Sequence, residues 1–176
     1  MDLQSYQRSL RHLLTGATPT ADDPPYARAL VGSNGLAVVR EVIDFWRAHG
    51  LERFCVLSAG WLKRRGRFDA AVRRFVAADF SPDIAEAGHQ FLQQLARDDD
   101  ALVRALARFE LALHETRLDP GQSRSMDWPC DPRPVLAELL DGQAAPTHEP
   151  VPHRVTVSRS LPGGYACEPI VTAASG

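Results

Sequence analysis

Residues 61–115 read WLKRRGRFDAAVRRFVAADFSPDIAEAGHQFLQQLARDDDALVRALARFELALHE, and the spacing of their apolar side chains decides the fold. Leu102, Leu106, Phe109 and Leu113 recur at i, i+4, i+7 and i+11, the period of a helix burying one stripe. Asp98–Asp100 place negative charge where the helix that follows has the positive end of its dipole. Ser81-Pro82-Asp83 marks an earlier helix start with proline in the first turn, and Ile84, Phe91, Leu92 and Leu95 form the side that helix buries. Phe68, Val72, Phe75 and Val76 make a third stripe behind Gly66. Three amphipathic segments with short breaks predict a helical bundle.

Working outward, Leu3, Tyr6, Leu10, Leu13 and Leu14 give an N-terminal helix ended by Gly16. Residues 16–25, with three prolines, read as a linker. A short helix at Tyr26–Val31 is followed by a longer one burying Leu36, Val39, Val42, Ile43 and Trp46, with Ser33 or Asn34 as its cap and Gly50 as its end. Residues 52–65 read as another helix, with Phe54, Leu57, Trp61 and Leu62 on its buried side. Beyond Arg117 the texture changes. Residues 118–134 are rich in Pro, Gly, Ser and Asp and read as loop, with a short helix at Val135–Leu140. Residues 154–160 alternate β-branched and polar side chains, Leu161-Pro-Gly-Gly supplies a turn, and residues 165–172 return as a strand interrupted by Pro169. The expected fold is mainly α, a helical body over 1–117 with a tail over 118–176 that carries a small C-terminal β-hairpin or sheet.

The 176 residues suit one domain or one domain with an appendage, and 44% hydrophobic with 24% charged residues allows an ordinary core. A formal charge of −2 argues against bulk nucleic-acid binding. No apolar run is long enough to span a bilayer, and the N-terminus lacks the basic start and apolar region of a signal peptide. Cys55, Cys130 and Cys167 are odd in number and widely spaced, as in a reducing compartment. The chain is expected to be cytoplasmic.

Three constellations bear on function. Lys63, Arg64, Arg65, Arg67, Arg73 and Arg74, with Arg53, form a basic cluster that could dock an acidic partner or nucleic acid; the plainer reading is a solvated face balanced by the acids downstream. Glu86/His89 and Glu110/His114 have the i, i+3 and i, i+4 spacing of helical metal ligands, with His148 and His153 elsewhere, but such pairs are more often surface ion pairs, and no metal site is expected. Ser58 lacks the glycines of a nucleophile elbow, and Cys55, between Phe54 and Val56, reads as a small buried hydrophobe. No catalytic residue is therefore expected. In the tail, Arg154, Val155, Thr156, Val157, Ser158 and Arg159 form a β-branched strand with few partners, whose edge could take up an extended peptide by strand addition.

The order Phe68-x-x-x-Val-x-x-Phe-Val, then Phe80-Ser-Pro-Asp-Ile with Gly88-x-x-Phe91-Leu92, then Leu106-Ala-x-Phe-Glu110, resembles a bacterial family of helical proteins once labelled putative DNA-binding proteins. Its members are usually encoded beside a TIM-barrel oxidase with multinuclear iron, as in methanobactin and thiaglutamate biosynthesis. Tyr6-Gln-Arg-x-Leu and the first linker are also similar, and residues 60–66 depart from the pattern. The resemblance implies a non-catalytic partner subunit that binds the leader of a ribosomal precursor peptide while the barrel oxidises a peptide cysteine. It implies no cofactor in this chain and iron in the partner. The alternative is a DNA-binding helical module using the Lys63–Arg74 face.

Overall fold

The structure, a computed structural model, describes residues 3–15, 18, 20–21, 23–77, 83–142 and 149–171. The described residues form eight α-helices and one three-stranded antiparallel sheet near the C-terminus, the mainly helical class expected. By its contacts the chain divides into two compact units, Met1–Gly50 and Leu51–Gly176. The tail is thus grouped with the helices that precede it, and the division falls within a helix instead of near Arg117.

The first unit holds α1 (Leu3–Thr15), α2 (Pro25–Leu30) and most of α3 (Asn34–Phe54). Pro25 opens α2, where its missing N–H and fixed φ cost nothing, so the last residue of the expected linker is already helical. Ser33 caps α3, its Oγ accepting the Leu36 N–H at 3.2 Å. The expected stop of α1 at Gly16 lies outside the described residues. Asp23 ties the unit together: it accepts the Ser9 hydroxyl at 2.7 Å, the Thr20 N–H at 2.7 Å and the Thr20 hydroxyl at 3.0 Å. These donors, the Ser9 hydroxyl above all, hold its carboxyl down at about 2.

Two expectations for α3 are corrected. Gly50 does not end it; the helix runs to Phe54 and breaks at Cys55, where φ is −108° and ψ 54°. The expected buried stripe is also split, with Val39, Val42 and Trp46 exposed while Leu36 and Ile43 stay on the covered side. The covered side follows Leu36, Arg40, Ile43, Arg47 and Gly50, at helical spacing. Arg40 Nε donates to the carbonyl of Leu13 at 2.6 Å, which fixes the charged side of α3 toward α1.

The second unit contains α4 (Val56–Arg64), α5 (Phe68–Ala77), α6 (Ile84–Leu95), α7 (Ala101–Leu118), β1 (Ser123–Trp128), α8 (Pro132–Asp141), β2 (His153–Ser158) and β3 (Tyr165–Pro169). Gly66, at φ +63°, makes the left-handed turn between α4 and α5. Asp83 caps α6 and Asp100 caps α7, each accepting two backbone N–H groups of the helix it opens. The Ser81-Pro82 part of the expected start lies outside the described residues. Leu106 and Phe109 are buried as expected, and Phe91, Leu92 and Leu95 meet them from α6; Ile84 is exposed, one turn too early to reach that core.

β1 lies inside the stretch expected to be loop. Arg124, Met126 and Trp128 alternate onto one face of it, so only two apolar side chains marked it, between Gly121 and Pro129. The sheet runs β1-β2-β3, with Met126, Val155 and Cys167 in one row and Trp128, His153 and Pro169 in the next. Phe109 of α7 fixes it from beneath, edge-on to Trp128 at 5.7 Å and to Tyr165 at 5.5 Å.

Candidate functional site

The basic cluster is largely spoken for by the protein's own groups. Lys63 Nζ lies 2.6 Å from Glu52, and Arg64 donates to the Glu138 carbonyl at 2.7 Å. The Arg65 guanidinium sits over the Trp61 ring, 3.2 Å from its centroid. Arg67 bridges Asp98 at 3.1 Å and Asp100 at 2.9 Å, while Arg74 reaches Asp98 at 3.9 Å. Arg73 is exposed. Arg67 therefore serves to hold the start of α7 against the turn before α5. Beside Arg74, an open groove of about 460 Å³ is lined by Gln90, Gln94, Arg97, Asp98 and Asp99, a surface of mixed sign. A phosphate backbone is drawn by an excess of one sign, and here Lys63, Arg64, Arg67 and Arg74 have acids within reach.

The Glu110/His114 pair, expected at most as a surface ion pair, turns inward instead. Glu110 is 4% exposed, and its carboxylate accepts the N–H of Leu57 at 2.7 Å and of Ser58 at 2.8 Å. Cys55, at the start of α4, offers no side-chain cap, so a carboxylate from α7 satisfies two of that helix's orphan donors. Burial pushes the Glu110 carboxyl up, while the Ser58 and Leu57 donors pull against that shift. His114 Nε2 donates to the Phe54 carbonyl at 3.3 Å, and burial lowers its pKa. Its ring stacks on Phe54 at 4.2 Å and lies 5.4 Å from the His89 ring.

Cys55 is fully buried, as expected. Burial first, and the nearby Glu110 charge second, push its thiol far up, away from thiolate chemistry. Among the described residues, no three His, Cys, Asp or Glu side chains come together as a metal-ligand set. His148 lies outside the described residues, and His153 is buried with Nδ1 2.7 Å from the Val151 carbonyl. The Glu110–His114 cluster holds helix ends together.

The expected peptide strand needs a correction of mode. Arg154–Ser158 lie in β2, which pairs with β1 on one side and β3 on the other, so its backbone has no open edge. The sequence missed this because β1 was hidden in a polar stretch. Val155 and Val157 are buried beneath the sheet, and Arg159 falls in the turn that follows. Arg154 pairs with Asp127 at 2.6 Å, and Thr156 shares a hydrogen bond with Ser125 at 2.9 Å. Among the described residues the outer strands are β1 and β3. β3 ends in Pro169, which has no N–H to offer, and the next N–H, of Ile170, is taken by the Pro152 carbonyl at 2.8 Å. β1 runs six residues without a proline, and its first three are exposed.

No protein-family model, curated protein or solved structure matches the chain. Among the described residues no helix is long and apolar enough to cross a membrane.

Proposed function

We propose that the chain is the non-catalytic subunit of a peptide-modifying oxidase, and that it holds a ribosomal precursor peptide by adding the leader as a strand beside β1. The partner is a TIM-barrel protein that carries multinuclear iron and oxidises a cysteine of the peptide; this chain carries no cofactor. The complex works in the cytoplasm, where the thiols Cys55, Cys130 and Cys167 stay reduced. The observation that carries the reading is the outer edge of β1, six residues long and proline-free, on a sheet anchored to α7 through Phe109. An edge of this kind binds extended peptides through main-chain hydrogen bonds. The captured leader raises the effective concentration of the reacting end, so the partner need not grip that end tightly.

The test combines pull-down of the barrel protein encoded beside this chain with peptide binding by fluorescence anisotropy. Of two neighbouring residues in an edge strand, only one points its N–H outward. Of Arg124→Pro and Ser125→Pro, one should abolish peptide binding while keeping the sheet, and the other should disturb β1–β2 pairing. Peptide binding by both variants at the wild-type level would sink the strand-addition mode. A barrel that modifies the peptide normally without this chain would sink the subunit assignment.

A further inference from the structure

We propose that the exposed face of α3 is a homodimer interface, on which a second copy of this chain packs the same face. Val38, Val42, Phe45 and His49 follow one another at i, i+4, i+7 and i+11, with Val39 and Trp46 alongside. Phe45 and Trp46 are each 63% exposed and lie in mutual contact at 5.7 Å, and both touch His49, at 6.2 and 5.9 Å. Helices that face water carry their charges outward. α3 exposes Glu41 and Asp44 in this way, yet it half-covers Arg40 and Arg47 and presents a separate side of valines and aromatic rings.

The unit that owns this face has little core of its own. Within Met1–Gly50 the buried apolar side chains among the described residues are Leu13 and Ala27, and the central tie is the polar Asp23 clasp. Leu3 and Tyr6 of α1, and Leu30 and Val31 at the end of α2, are exposed as well. Three helices that bury so little leave apolar surface for a partner to cover. Aromatic side chains contribute about 150–250 Å² each when fully buried, so the α3 face offers about 400–500 Å² per copy. Two such faces give about 800–1,000 Å², the lower edge of a specific interface, as suits a dimer that dissociates on dilution. A second copy fits because a twofold interface joins a patch to itself, and this patch carries no charged side chain at its centre to repel its own image.

The full chain at tens of micromolar should sediment at twice its 19.4 kDa mass and dissociate on dilution. Phe45→Glu and Trp46→Glu should each sediment as the monomer with unchanged far-ultraviolet circular dichroism, whereas Leu118→Glu, at an exposed site in the other unit, should leave the dimer intact. Fluorescence supplies a readout needing no variant. Trp61 and Trp128 are each 1% exposed, so acrylamide quenching reports mainly Trp46, and it should weaken severalfold as concentration rises through the dimer transition. A wild-type chain that stays monomeric, a dimer that survives both glutamate variants, or quenching that ignores concentration overturns the proposal. So does a wild-type monomer that pairs through this face only with another protein.

Discussion

The backbone N–H of Ser58 is bound by the carboxylate of Glu110 at 2.8 Å, across 52 residues of chain. The cap of α4 is therefore supplied by the middle of α7, and the break at Cys55 is held open by a partner outside its own segment. Removing that carboxylate strands the Leu57 and Ser58 donors away from water. Each buried unsatisfied donor costs about 1–3 kcal/mol, so Glu110→Ala should destabilise the protein by about 2–5 kcal/mol in urea unfolding. A loss under about 1 kcal/mol would mean the two N–H groups find water.

Glu110→Gln separates the hydrogen bonds from the charge. Burial raises the folded carboxyl above the ordinary 4.5 of a free glutamate, so the folded state binds this proton more tightly than the unfolded chain. The stability linked to this group is present below 4.5 and is lost as pH rises through the folded value. Glutamine does not titrate and keeps one acceptor. The advantage of wild type over Glu110→Gln should shrink as pH rises from mildly acidic to neutral; an advantage that grows would show that the carboxyl is depressed instead.

One turn further along α7, His114 predicts the opposite slope. Burial lowers its pKa below 6.5, against the Phe54 carbonyl, which raises it. The folded state thus disfavours the imidazolium, and the stability tied to the neutral ring is lost as pH falls below 6.5 and through the folded value. His114→Gln should lose less stability than wild type between neutral and mildly acidic pH. A His114 ring titrating above the ordinary imidazole range by NMR would contradict the geometry.

These two residues mark the limit of what the sequence discloses. The i, i+4 spacing of Glu110 and His114 is visible, but that they turn toward Leu57, Ser58 and Phe54 depends on a helix break no local signal announced. Where signals are local, the reading holds: Ser33, Asp83 and Asp100 cap their helices because each acts within three residues of itself. β1 escaped because an edge strand needs only one apolar face, and Met126 and Trp128 are too few to show a period. With it went the status of Arg154–Ser158, since a strand's edge is a property of its neighbours. The stripe on α3 was legible, but not its direction, which the Arg40–Leu13 hydrogen bond sets from another helix.

Gly88 carries a test of the same junction. A Cβ built there would overlap Phe54 Cδ1, so the Phe54 ring occupies the space a side chain would need. That ring is held on its other side by His114, stacked at 4.2 Å and 11°. Gly88→Ala gains about 1 kcal/mol of helix propensity, and displacing a packed ring costs about 1–3 kcal/mol, so a net loss of up to about 2 kcal/mol is expected. If the clash is the cause, shortening the ring should remove it. Phe54→Leu loses packing by itself, but Gly88→Ala added to it should be neutral or stabilising, giving a coupling energy of about 1–3 kcal/mol in a double-mutant cycle. Additive effects would mean that Phe54 reaches another rotamer without strain, and that glycine at this position answers to something other than the ring.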